Sequence, residues 1–477
     1  VSRRADILVL HGHVFTTAGS GVGYLEDGAV AIAGDRIVDV GQSSQLAAEY
    51  EACKTLDATG KAVLPGLIDS HTHSPEALLR GVAQDVPDYM EKAMSPFVRA
   101  MTPELALAGT RLHVLEALKA GTTCFTDYCP PYAGWAEFYD QVGVRARLTP
   151  TINALAADTM ADRTKILYEF DEKAGQHAIE AALEFADRWH RAADGRITVM
   201  LGPQAPDMLP VDQLMTVMEH AQKRDLMIHM HVAQGDREHR QMAHRYGMRS
   251  IPFLDSIGYL GEQLFAVHLT EATSSEVELM VSRGASMGLC SGAIGLIDGV
   301  VPPAAEYRRL GGRVGLGTDS ASSNNSISMF NEMKLTALFN KIRHVDPRSM
   351  PAWEVFRMAT AEGASAIGLA DTVGTLEAGK QADVILVDLA SLNLSPVLER
   401  PIRNIVPNMV YAATGREVHS VIVAGRVLME GRRILTADEA AIRKEAQEAA
   451  EELCRSVLRD PRHAELALLE AMRAGLL

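Results

Sequence analysis

The feature that most narrows the fold is a rhythm. Between residues 63 and 318, short apolar runs alternate with longer segments whose apolar residues fall at helical spacing. Eight runs read as strands: Val63–Ser70, Thr122–Asp127, Ala146–Asn153, Ile197–Pro203, Met227–Val232, Phe265–His268, Ala285–Leu289 and Val314–Thr318. Segments such as Pro103–Ala120, Ala178–Ala193 and Val211–Arg224 read as intervening helices. A parallel strand needs a crossover, so this alternation predicts parallel βα units. For roughly 250–320 residues the economical closed form is a (β/α)8 TIM barrel, an α/β fold. No GxGxxG follows an early strand, which counts against an open doubly wound sheet.

The flanks differ in texture. Asp6–Leu10, Ala29–Ala33 and Arg36–Gly41 are short β-like runs, and β texture returns in Ala382–Asp388 and Val418–Val427, with a turn at Ala424–Arg426. The two ends are expected to meet in one β-sandwich, residues 1–62 plus 380–435, beside a barrel over 63–379. The tail, 436–477, is Ala/Glu/Arg-rich from Asp438 to Ala474 and reads as surface helices that could dock on a neighbouring subunit.

Apolar residues make up 47% of the 477 positions but aromatics only 5%, so aliphatic side chains and Met must fill the interior. The net charge of −15 offers no field for phosphates, which excludes nucleic acid as a natural partner. No run is long and apolar enough for a membrane span or a signal segment. Five scattered cysteines, Cys53, Cys124, Cys129, Cys290 and Cys454, form no CxxC pair, which fits a reducing cytoplasm.

The chemistry gathers at predicted strand ends. His71 and His73 close the first run, and positions i and i+2 of an extended chain face one side. His229 and His231 close the fifth run, His268 the sixth, and Asp319 follows the eighth. Active sites of TIM barrels lie at this end of the strands. Nitrogen and oxygen donors suit Zn²⁺, and also Fe²⁺, Mn²⁺ or Co²⁺. A loop wall is expected from Pro75 to Tyr89, from Asp127-Tyr128-Cys129 and from Asn153, with Met90, Met94 and Met101 at an apolar entrance.

Leu64-Pro-Gly-Leu-Ile-Asp-Ser-His-Thr-His73 resembles the signature of the amidohydrolase superfamily. Gly317-Thr-Asp-Ser-Ala-Ser-Ser-Asn-Asn325 is similar to its eighth-strand motif, and Gly374–Leu386 to its return into the small domain. The nearest branch is that of mononuclear aminohydrolases and chlorohydrolases of purines, pyrimidines and triazines. That resemblance implies one divalent ion, zinc foremost, held by His71, His73, His231 and Asp319. It also implies small-molecule substrates and a homo-oligomer, a dimer or larger. Branches that bridge two metals carry a lysine ending strand four. Here that stretch is Leu201-Gly-Pro-Gln204.

Departures from the branch reshape the expected chemistry. Gln234 stands where its deaminases carry a proton-shuttling glutamate, Gln204 where they carry a histidine, and Gly288–Gly292 replaces a His-Asn/Cys-Pro pattern. An amide does not titrate near neutral pH, so it cannot act as a general acid or base. The expected substrate is therefore a small neutral amide, urea or carbamate, cleaved at a C–N bond by activated water. Aminohydrolase or chlorohydrolase action on a nitrogen heterocycle is the alternative, and a metal-binding scaffold without turnover a third reading. Asp319 is expected to take the water's proton and pass it to the leaving group, with His268 hydrogen-bonding the developing oxyanion. Gln204, Gln234, Asp127 and Asn153 are the expected substrate contacts.

Overall fold

The computed structural model describes residues 2–86, 89–156, 159, 166–460 and 466–477. Each of the eight expected runs contains a strand: β1 Leu67–Thr72, β2 Thr122–Cys129, β3 Arg145–Ile152, β4 Ile197–Val199, β5 Ile228–Val232, β6 Leu264–His268, β7 Ser286–Leu289 and β8 Val314–Leu316. They form two parallel sheets. One holds β1, β2, β3 and β4, with Gly202–Pro203 also paired to β3; the other runs β5-β6-β7-β8. Single parallel bridges, Leu201 to Ile228 and Thr72 to Asp319, link the edges of one sheet to those of the other. The strands are covered on both faces, which is why they read as nearly unbroken buried runs.

Strands from both ends of the chain share a third, nine-stranded sheet. Its path runs Arg433–Ile434, Arg426–Glu430, Val418–Val423, Val384–Asp388, Lys61–Pro65, Arg3–Phe15, Tyr24–Ala33 and Arg36–Gln42, and Tyr50–Asp57 also pairs with Arg3–Phe15. Alternation sorts its side chains. Val63, Val384 and Leu386 pack with Ile7, Val9, Val30 and Ile32 in a core of their own. Their neighbours Leu64, Ile385 and Val387 join the large core around the parallel strands.

Two expectations need correction. The run Val63–Ser70 is not one strand. Lys61–Pro65 pairs antiparallel with Val384–Asp388, and only from Leu67 does the chain enter the parallel sheet. Gly66 makes the crossing because a Cβ there would sit 2.0 Å from Thr123 Oγ1. The tail also differs. Glu439–Arg459 is one helix of 21 residues, capped by the Asp438 carboxylate on the N–H groups of Ala440 and Ala441. Its buried stripe, Ala446, Ala449, Leu453 and Val457, packs with Leu79, Met94, Phe97 and Leu105 of the same chain, and a second helix follows at Ala467–Arg473. Met94 is thus core material, while Met90 is 42% exposed. Residues 87–88 of the expected loop wall and 461–465 of the tail lie outside the described residues.

A buried ion pair ties the first parallel sheet to the nine-stranded sheet. Arg145 on β3 meets Asp383 with Nε–Oδ2 at 2.8 Å and Nη2–Oδ1 at 3.0 Å, both side chains 2% exposed. Removing one partner strands the other charge in a low dielectric. Asp383→Ala is therefore expected to cost about 3–5 kcal/mol, read as a lower midpoint in urea unfolding followed by circular dichroism.

Candidate metal centre

The site is built around the seam between β8 and β1. Asp319 N–H donates to His71 O at 2.9 Å, and Thr72 Oγ1 donates to Asp319 O at 2.8 Å. Asp69 completes the stitch, accepting from Thr318 N at 2.9 Å and from Thr318 Oγ1 at 2.5 Å. Burial lifts the Asp69 carboxyl to about 7, against the pull of those bonds. The approach is so close that a Cβ on Gly317 would lie 2.8 Å from His71 N, O and Cβ. Asp319 and His268 both sit at positive φ, 58° and 79°, a strained region for residues with side chains.

His71, His73, His231, His268 and Asp319 converge there. The Nε2 atoms of His71, His73 and His268 lie 3.8, 3.5 and 3.9 Å from the Asp319 carboxylate. His71, His231 and His268 each bring one donor atom within 4.8 Å of the others, and so do His71, Cys290 and Asp319. His71 Nε2 is buried without a hydrogen-bond partner. The opposite ring nitrogens are anchored: His73 Nδ1 to Tyr128 O at 2.6 Å, His231 Nδ1 to Gln204 O at 2.9 Å, and His71 Nδ1 to His229 Nε2 at 2.8 Å. His229 is held in turn by Thr149 Oγ1 at 3.1 Å and is fully buried. It is a partner that orients His71, in the way outer groups fix metal-binding imidazoles.

Burial keeps most of these rings neutral. It depresses His231 to about 3 and holds His71, His229 and His268 well below the usual histidine range, with the neighbouring imidazoles adding to the effect. At His73 burial pulls the same way, but the carboxylates of Glu76 and Asp319 prevail and raise it. Asp319 is lifted to about 6, by burial first, with His73 opposing. A neutral imidazole offers the lone pair that a cation needs. A cluster of buried, mostly neutral rings beside the Asp319 carboxylate, with His71 Nε2 and His268 Nδ1 unsatisfied among the described residues, fits a divalent cation of the zinc type.

The expected substrate contacts divide. Gln204 and Asn153 meet, with Asn153 Nδ2 donating to Gln204 Oε1 at 2.8 Å, and both are partly exposed. Gln234 is half-buried two residues beyond β5, just ahead of the helix Gly235–Tyr246. Asp127 is otherwise engaged. Its oxygens accept from Ser74 N at 2.8 Å, Ser74 Oγ at 2.5 Å, Trp135 Nε1 at 2.7 Å and Tyr139 Oη at 3.0 Å. Three of these four bonds fall on Oδ2 and one on Oδ1, so the carboxylate holds the turn after β1.

Other polar groups near the centre lie in the expected wall or strand ends without an individual role foreseen for them. Glu76 Oε2 accepts from Ser322 Oγ at 2.7 Å, and Ser322 accepts from Tyr89 Oη at 2.7 Å. Glu76 is close enough to act on His73 and Asp319. Its only sequence signal was its place three residues beyond His73. Cys290 signalled itself only by ending the seventh run. Asp298 is exposed on the loop after Ser291–Ile297, its carboxyl raised to about 6 by partial desolvation and then by the charges of Asp319 and Glu271.

Comparison with known proteins gives the family. The model of the amidohydrolase family matches residues 62–428. A 5-methylthioadenosine/S-adenosylhomocysteine deaminase from Desulforudis audaxviator is 34% identical over 461 residues, covering 94% of this chain and 100% of that protein. A 5'-deoxyadenosine deaminase from Methanococcoides burtonii is 33% identical over 459 residues, covering 94% and 98%. An adenosine deaminase from Xanthomonas campestris, solved with bound zinc, has a TM-score of 0.86 at 28% identity, covering 95% of this chain and 100% of that one. Atrazine chlorohydrolase from Arthrobacter aurescens TC1 shares the fold, with a TM-score of 0.80 at 22% identity over 93% and 100% of the two chains. The chain belongs to the amidohydrolase family.

Proposed function

We propose that this protein is a metal-dependent hydrolase that cleaves a C–N bond in a small neutral substrate of the amide, urea or carbamate kind. The observation that carries this reading is His71 Nε2, buried and unsatisfied where two other imidazoles and the Asp319 carboxylate converge. His71, His73, His231 and Asp319 would hold one divalent ion, zinc foremost, at the mouth of a (β/α)8 barrel, a closure that the two edge bridges support. The nine-stranded sheet would be the sandwich domain beside it. An ion held there supplies Lewis acidity and lowers the pKa of a water toward roughly 7.

The chain's own groups divide the remaining work. Asp319 takes the proton of the attacking water and returns it to the departing nitrogen. His268 has no partner for Nδ1 and lies 3.9 Å from Asp319 through Nε2, placed to hydrogen-bond the oxygen that gains charge. Gln204, braced by Asn153, and Gln234 orient the substrate with donors and acceptors that do not titrate. This leaves Asp319 as the proton carrier, which suits a substrate whose leaving nitrogen needs one proton.

A second reading has its own support. The relatives named as deaminases of adenosine derivatives span 94% of the chain, and Glu76 offers a carboxylate near His73 that could stand in for the missing glutamate. That reading makes the substrate an aminated nitrogen heterocycle. The two separate by product: ammonia from 5'-methylthioadenosine or 5'-deoxyadenosine supports deamination, whereas amine plus acid from a panel of amides, ureas and carbamates supports the first reading.

Three outcomes are expected. Metal analysis of the purified protein should find about one divalent ion per chain, and a chelator should remove activity that zinc restores. Asp319→Asn should lower kcat/KM by about a thousandfold or more with an unchanged circular dichroism spectrum; near-wild-type turnover would exclude its proton role. His229→Ala leaves all four ligands in place and should weaken ion affinity about 10–100-fold, measured by competition with a fluorescent chelator.

A further inference from the structure

Two fully buried carboxyls lie behind the glutamines of the candidate site. Glu238, on the helix Gly235–Tyr246, is 0% exposed. Its Oε1 accepts from Ala233 N at 2.8 Å and its Oε2 from Gln234 N at 2.9 Å. These are the first two residues to leave β5 beyond His231 and Val232, and Ala233 is held at a φ of 52°. Asp207, three residues beyond Gln204, is also 0% exposed. Among the described residues neither of its oxygens has a hydrogen-bond partner, and the cation paired with it is Arg237 Nη2 at 3.8 Å. A carboxyl in that condition is unusual, because buried charge is normally paired and hydrogen-bonded.

We propose that Glu238 is a positioning residue for the site: by holding two consecutive backbone N–H groups beyond the fifth strand it sets the direction of Gln234, and buried Asp207 beside it makes that hold depend on protonation. The inference rests on reading Gln234 as a site residue. With both oxygens ionised, Glu238 can accept from both amides. With a proton on one oxygen, that oxygen becomes a donor and a poor acceptor, and one of the two bonds is given up. Ala233 and Gln234 then lose part of what fixes them, and the Gln234 side chain loses its fixed bearing on the centre.

The surroundings place this change near neutral pH. Burial first, and then the negative charge of Asp207, lift the Glu238 carboxyl to about 7, against the pull of the Gln234 and Ala233 amides and the Ser250 hydroxyl. The charged groups facing it come from three directions. Asp207 reaches in from the turn after Gln204, and Arg237 lies on the same helix. Arg249 approaches from the next loop, but its guanidinium is engaged by Glu276 at 2.7 and 3.1 Å. The sign follows: the two-amide hold is complete above about pH 7 and weakens as pH falls through it.

Hydrogen–deuterium exchange on the full-length, metal-loaded protein tests this without a substrate. After correction for intrinsic rates, the Ala233 and Gln234 amides should be about tenfold less protected at pH 6 than at pH 8. Asp207→Asn removes the neighbouring charge, so this variant should keep the high protection down to pH 6. Glu238→Gln should lose protection at both values. Equal protection of the wild-type amides at the two pH values would overturn the proposal, as would an unaltered dependence in Asp207→Asn. The wild-type comparison decides the matter even if a variant fails to fold. Absence of bound ion would sink the functional reading and leave the exchange result to judge Glu238 alone.

Discussion

The whole centre depends on how closely the eighth parallel strand approaches the first. Gly317 permits backbone contact with His71, and the Asp319 amide then pairs with the His71 carbonyl at 2.9 Å. Asp69, fully buried, closes the same seam through Thr318. Shift this seam by one residue and the side chains alternate to the wrong face, so His71 and Asp319 would no longer share a space. The two left-handed residues, His268 and Asp319, are the local price of aiming both side chains inward from strand ends.

Burial does most of the electrostatic preparation. Five imidazoles packed together would repel one another if charged, and low dielectric penalises each charge further. The result is a nest of rings, all but His73 held below the usual histidine range and so offering lone pairs, next to the Asp319 carboxylate lifted toward neutrality. Fixing the second nitrogen of each ring matters equally. Tyr128, Gln204 and His229 supply those anchors from three different strands or strand ends, so ring orientation is a property of the assembled sheet.

Much of this was legible because strand ends carry the chemistry. The i, i+2 spacing of His71 and His73, and the terminal places of His231, His268 and Asp319, survive in one dimension. What depends on three-dimensional packing did not. Val63–Ser70 is continuous in hydropathy, yet its pairings divide it between two sheets at Gly66, where Thr123 leaves no room for a side chain. Asp127 has the residue type and the strand-end place of a substrate contact, and its bonds from Ser74, Trp135 and Tyr139 leave no trace in one dimension. Glu76 gains importance only because Ser322, far along the chain, returns to bind it. The tail's apolar stripe gave no hint of its partner, since an amphipathic helix looks the same whichever surface covers it.

The sheet that joins Lys61–Pro65 to Val384–Asp388 carries a consequence for biosynthesis. Its first five strands emerge from the ribosome early, with one edge open until the whole parallel-strand region has followed. An unpaired edge is a template for pairing with other chains, and pairings distant in sequence form slowly. The nascent protein must therefore keep an exposed β edge in solution through most of its own translation, a window in which chaperone engagement would have the greatest effect on yield.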